Sequence, residues 1–595
     1  MTTRTSLCGG AALGALLALT LAPASHAATT TTHHRHRAPH HRVVRQDPMK
    51  AQVQELQAEI QQLKAQQDQQ AATQAQTQAQ VQQLNGQLQA ANARADQAQA
   101  QLQEQIQTIP GQVNQQVAQQ VAKHAPRKDV IQYKGLTIQL GGFSAAESVY
   151  RTKNNIADIG SNYSKIPYYN NPLAHTDEFR QTARQSRISF LVQGNVSPSI
   201  VASYYGEFDF LGAAQTANSN ESNSYNLRIR HIYGALDFND TGWHLLAGQN
   251  WSLVTMNTKG ITPRNEDIPL TIDAQYVVGF VWARQPQIRV TKDFDDKQWW
   301  VAVSAENPQT TFAGSATGTG TTFGGVTVND MAPGIGLYNS VNNYSFNHMP
   351  DVVGKVAYEP IIGGSQPLHV EVFGLLRNFY DQSIIAAGSQ ATLAGYGSGK
   401  YTNNTWGGGV GGGIVWTAVP KLLDLQGNVL TGRGIGRYGS GQLPDVVVGP
   451  TGNLEPIDET LWMAGGVLHA TKKLDIYVNG GQETEGSKTL NTTVGATAVH
   501  LGYGNSFAAL GNCFVEMATC SPDTRQITQV TVGLWDKLYD GSFGSFRVGL
   551  QYSHTTLDAF SGLAGANTAG FAPGSTVRPS TSDDMVFTSI RYYPF

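Results

Sequence analysis

Charge is scarce in this chain. Only 14% of its 595 residues are Asp, Glu, Lys or Arg, and basic and acidic residues nearly cancel, to a net −3. A nucleic-acid-binding protein would carry a basic excess, so the balance argues against that class. Long apolar runs are missing too. Beyond the first thirty residues no stretch reaches the roughly 18 apolar residues that a membrane-crossing helix needs. Cysteine is limited to Cys8, Cys513 and Cys520. Cys8 precedes the only long apolar run instead of following it, which argues against a lipoprotein anchor. Soluble multidomain proteins, repeat proteins and outer-membrane barrels remain. The 63 glycines, with abundant Asn, Thr and aromatic residues, favour the last two.

What is there begins with an address. Arg4, the apolar run Ala11 to Ala22 and the small residues up to Ala27 read as a secretory signal over 1–27. Residues 28–46 form a basic, His-rich leader, with His33-His34-Arg35-His36-Arg37 at its centre. Composition without fixed geometry makes no metal site, so the leader reads as a solvated segment. In an exported protein Cys513 and Cys520 meet an oxidising compartment, where they would close a short loop if paired.

From 47 to 109 the chain is rich in Gln and Ala, but it has a period. Met49, Val53, Leu56, Ile60 and Leu63 follow 4-3-4-3 spacing, and the count continues without a stutter to Ile109. That spacing predicts a periplasmic coiled coil, ended by Pro110-Gly111. Its polar Gln layers leave two or three strands open. A linker over 110–133 leads into the rest.

Residues 134–595 alternate apolar and polar from Leu136 to the aromatic terminus Tyr592-Tyr593-Pro594-Phe595. Short connections (such as Lys472-Lys473) alternate with long polar ones: 151–180, 213–224, 252–278, 307–350, 381–404, 434–460, 485–525 and 557–583. Seven short and eight long connections require 16 antiparallel strands. The expected fold class is therefore an all-β transmembrane barrel of 16 antiparallel strands, preceded by an α-helical coiled coil. Closure would satisfy every backbone group in lipid, which an open sheet could not.

Parity assigns faces. Ile188, Phe190, Tyr204, Phe208, Leu227, Ile229, Ile288 and Val290 point outward. Arg187, Glu207, Asp209, Arg228, Arg230, Gln287 and Arg289 then line the lumen, where a charge avoids the ~2–4 kcal/mol cost of the lipid face. These arginines either pair with Glu207 and Asp209 as ordinary lumen polarity or form a basic ladder that attracts anions. His231 has the parity of the lipid or subunit-contact face. No strand offers a nucleophile beside a base and no G-x-S-x-G occurs, so no enzyme is expected, and no cofactor or metal.

Four segments carry a resemblance: Thr182-Ala-Arg-Gln-Ser-Arg-Ile-Ser-Phe190, Arg228-Ile-Arg-His-Ile-Tyr-Gly234, Leu246-Ala-Gly-Gln-Asn-Trp-Ser252 and Arg284-Gln-Pro-Gln-Ile-Arg-Val-Thr291. They resemble the DcaP-like porins of Gram-negative outer membranes, and the coiled-coil leader fits the same pattern. The resemblance implies a homotrimer of 16-stranded barrels with a periplasmic coiled coil. It also implies uptake of small anionic solutes such as dicarboxylates. Expected partners are those solutes, outer-membrane lipid and lipopolysaccharide, a second and third copy of the chain, and cell-wall polymer. The expected function is passive diffusion of small hydrophilic solutes with a preference for anions. A structural envelope tether through the coiled coil, or a neutral-sugar porin, are the alternatives.

Sixteen-stranded porins commonly fold their third long loop inward. In 252–278 the segment Pro263-Arg264-Asn265-Glu266-Asp267 is stiffened by proline and is the expected constriction. Its residues Arg264, Glu266 and Asp267 would face Arg187, Arg228 and Arg230 and set up a transverse field. If the loop instead covered the rim, its acids would meet solvent.

Overall fold

Antiparallel pairing starts near Leu136, runs to Tyr593 and returns on itself. The computed structural model describes residues 130–595 apart from 213–225, 314–320, 324, 333–343, 495 and 566–569, together with Gly86 and Gln89. The expected signal, His-rich leader and coiled coil lie outside the described residues, apart from those two positions.

The first barrel strand is Leu136–Arg151, and the second comes in two segments, Glu178–Thr182 and Arg187–Ser197. There follow Ile200–Gly212, Asn226–Phe238, Trp243–Trp251, Arg284–Phe294, Trp299–Glu306, Asp351–Tyr358, Gln366–Ile385 and Gly399–Val419. Leu423–Arg433, Asp458–His469, Leu474–Glu485, Thr524–Gly541, Gly544–Ala559 and Ser580–Tyr593 complete the set. Each strand pairs with the next, and the last returns to the first through Ser144↔Tyr592 to Arg151↔Met585. The sheet is thus a closed 16-stranded barrel. Pairing begins earlier than the expected boundary at 134, because Val130–Tyr133 forms a hairpin with the first strand.

The wall separates two chemistries. Ile188, Leu227, Ile229, Ile288, Val372 and Val530 are exposed on its outer face, an apolar band too large for a water-facing surface. Trp243, Trp299, Phe543 and Tyr592 are exposed where strands meet short turns, as in an aromatic girdle. Glu207, Gln287, Arg289, Asn479 and Gln529 are buried on the inner face.

Parity fails at one place. In the third and fourth strands Glu207 pairs with His231, but Phe208 pairs with Ile229, so Arg230 sits in a bulge. The extra residue turns both Arg230 and His231 inward. His231 is only 4% exposed and its Nδ1 lies 2.9 Å from Asn250 Oδ1, inside the barrel. The expectation that His231 lies on the lipid or subunit-contact face is therefore corrected.

The long connections carry their own structure. Val446–Val448 pairs with Leu454–Pro456, and Cys513 is disulfide-bonded to Cys520 within 486–523. Among the described residues no helix is long and apolar enough to cross a membrane.

Candidate channel constriction

The third long connection, 252–283, enters the barrel. Thr258 N donates to Asn265 O at 2.7 Å and Asp267 N to Met256 O at 2.8 Å, which draws 256–267 into a finger. Gly413 on the wall leaves the space that Met256 fills, since a Cβ there would collide with its sulfur.

A loop with no ladder of its own must find other partners for its backbone groups once it leaves water. Here the wall supplies them. Leu253 N donates to Glu306 (2.8 Å), Asn257 N to Glu371 (3.2 Å), and Gly260 N to Glu359 in a short turn. Lys355 Nζ donates to Thr255 O at 2.7 Å and to Glu371 Oε1 at 2.6 Å. The second half crosses to the opposite side. Ile272 N donates to Gln551 (2.6 Å), Val278 N to Gln529 (3.1 Å) and Gly279 N to Glu483 (2.8 Å). Gly481 permits that approach, because a Cβ there would strike Val278 O.

Two further loops join it inside the barrel. From 152–177, Tyr163 donates to Asp273 Oδ2 at 3.0 Å and Ser161 N to Asp273 Oδ1 at 3.0 Å. From 434–457, Tyr438 O accepts from Trp282 N at 2.8 Å and Ser440 O from Gln275 Nε2 at 2.7 Å.

Beside the loop lies a cavity of about 370 Å³ that brings together Arg187, Glu207, Arg230, Arg264 and Glu266. Arg228, Asp209, Asp267, Gln287 and Arg289 do not line it. The predicted ladder is largely paired. Arg228 grips Asp209 through two bonds, Nε at 2.9 Å and Nη2 at 2.7 Å. Arg230 reaches Glu207 at 2.6 Å and Asp209 at 3.1 Å, and Arg187 lies 3.5 Å from Glu207. Arg289 donates to Trp251 O and Gln287 from a fully packed position.

The loop acids part company. Glu266 shares the cavity with Arg187 and Arg230, and accepts from Asn250 at 3.4 Å. Asp267 turns the other way. Burial, then the nearby Glu371 carboxylate, push its carboxyl up to about 7, with Asp424 adding to the shift and His369 opposing it. The expectation that Asp267 faces the ladder is corrected: neighbours in an extended finger point to opposite sides. Burial also raises Glu266 and Asp273 above the usual carboxylate range.

Two cavity arginines were missed by the sequence reading, Arg547 and Arg591. Arg591 is ion-paired with Glu147 at 2.8 Å and lies over the Trp535 ring at 4.6 Å. Arg547 lies over Tyr593 at 4.6 Å. Both alternate with outward residues of the last two strands, so parity applied there would have found them.

A closed barrel with an apolar outer wall, a polar lumen and an inward third loop has the architecture of the 16-stranded outer-membrane channels. No family model matches the chain, and no curated relative matches it. Among solved structures it is similar to the outer membrane channel DcaP of Acinetobacter baumannii, with TM-score 0.51 and 17% identity over 78% of this chain and 99% of that one. In fold the chain is a DcaP-like porin barrel. An anion-selective porin from Comamonas acidovorans gives TM-score 0.40 and 12% identity, covering 77% of this chain and 99% of that one. OmpT, an outer membrane protein of Vibrio cholerae, gives 0.38 and 10%, covering 78% and 99%.

Proposed function

We propose that the chain is an outer-membrane porin through which small hydrophilic solutes diffuse passively, with a preference for anions. The observation that carries this reading is the inward loop 252–283, tied to both walls beside a cavity whose lining includes five arginines. An apolar outer band needs lipid around it, and an arginine-rich lining favours negative solutes by sign. The likeness to the DcaP barrel supports the channel class. Arg187, Glu207 and Arg230 from the wall, with Arg264 and Glu266 from the loop, are the proposed lining of the passage. We further infer a homotrimer from the resemblance to the DcaP-like porins and from a heptad segment too polar to stand as a lone helix, which the mass of the detergent-extracted protein tests. Planar-bilayer recording tests the function. The expected result is conductance with an anion-selective reversal potential in a salt gradient, blocked more by a dicarboxylate than by a neutral sugar. A folded barrel that never conducts would refute the reading.

A further inference from the structure

We propose that Arg264 and Arg547, more than the arginine ladder of the second and fourth strands, select anions in this passage. The proposal rests on the anion-preferring reading above. Its basis is which charges already have a partner. Arg228 and Arg230 hold Asp209 between them, and Arg230 and Arg187 share Glu207. Arg591 has Glu147. A cation at contact distance from a carboxylate presents mostly a dipole to a passing solute. The three ladder arginines share two carboxylates, and Arg187 is the least engaged, 3.5 Å from Glu207.

Arg264 and Arg547 differ. Among the described residues neither enters an ion pair, yet both line the cavity, one from the loop and one from the fifteenth strand. Arg264 Nη1 donates to Tyr233 Oη at 2.9 Å, and its guanidinium lies over Tyr205 at 5.7 Å. Arg547 Nε donates to Ser545 Oγ at 3.2 Å, with its guanidinium over Tyr593 at 4.6 Å. A ring under the guanidinium holds its plane but leaves its edge, where the N–H donors lie, open to a ligand. Arg264 also sits at φ +69°, in the left-handed region that a bulky residue adopts at a cost, so its presentation is imposed by the loop.

The acids nearby do not cancel the two charges. Asp475 is engaged by His469 at 2.7 Å and Lys537 at 3.5 Å. Asp273 is capped by Tyr163 and Ser161, and Glu266 accepts from Asn250 at 3.4 Å. The ligand class is a small carboxylate or oxyanion able to accept from either guanidinium edge.

The test uses the full chain in planar bilayers, with R264Q/R547Q compared against wild type, R228Q and R264K/R547K in a potassium chloride gradient. The double Gln variant should lower the anion-to-cation permeability ratio by about fivefold or more, as expected for two unscreened charges near a narrow path. R228Q leaves Asp209 with Arg230 and should stay within about twofold of wild type. R264K/R547K keeps both charges and should retain selectivity. Should R264Q/R547Q not fold, the single variants R264Q and R547Q are read in the same way. A wild-type channel without anion preference overturns the functional reading, and the assignment with it. An anion-selective wild type with unchanged Gln variants overturns the assignment alone.

Discussion

Glu483 is the point at which two loops are held to the wall. Its carboxylate accepts from Gly279 N of the third long loop at 2.8 Å and from Gly441 N of 434–457 at 2.9 Å and 3.0 Å. No cation lies within ion-pair distance of it among the described residues, so these N–H groups are what stabilise it. Glu483→Ala would strand both donors in a packed region, at about 1–3 kcal/mol each. Removing a desolvated carboxylate offsets part of that. A net loss of about 2–3 kcal/mol shifts the docked-to-undocked ratio of the loops by roughly thirty- to a hundred-and-fiftyfold. The barrel ladder is untouched, so heat-modified gel migration should not change. Single-channel recordings should show more frequent steps and a higher mean conductance. Limited proteolysis should cut within 252–283 and 434–457 sooner than in wild type. Glu483→Gln keeps one acceptor oxygen and should fall between. If Glu483→Ala matches wild type in channel noise, conductance and cleavage rate, the carboxylate does not hold these loops and the reasoning fails.

Asp267, with its carboxyl pushed up to about 7 by burial and the nearby Glu371, is neutral below that pH and charged above it. The anion-to-cation permeability ratio should therefore fall as pH rises from 6 to 8, and Asp267→Asn should flatten the profile; a sloping profile in that variant would assign the titration elsewhere. The Cys513–Cys520 disulfide spans a separation of only 7 residues, so its removal frees about 2–3 kcal/mol of local chain entropy. Cys513→Ser with Cys520→Ser should speed proteolysis within 486–523 and leave conductance unchanged. Loss of conductance would show that this loop shapes the passage.

Much of the barrel was legible because two signals agree. Alternation marks each strand, and the connections alternate between short and long, so the strand count follows from bookkeeping. Inward placement of Glu207, Arg228 and Arg289 came from the same period of two. What period and composition cannot encode is a partner at a distance. Nothing near Arg591 in sequence announces Glu147, over four hundred residues away, because they meet only when the last strand closes on the first. Likewise Lys355, fully buried against Glu371 and Thr255 O, looks like any lumen lysine until the loop is in place.

The bulge at Arg230 shows where such reading stops. Parity is reliable only while the register is unbroken, and one extra residue reverses every face beyond it. Before the break Leu227 and Ile229 face outward; beyond it His231 and Tyr233 are buried inside. The shift has a physical use. It places Arg230 between Glu207 and Asp209 and also brings Tyr233 to the hydroxyl position that Arg264 needs. With an unbroken period Tyr233 would face outward and Arg264 would lose the hydrogen bond that holds its edge at the cavity. A fold-level pattern thus predicts the wall, whereas the disposition of charge along the passage depends on a local exception to that pattern.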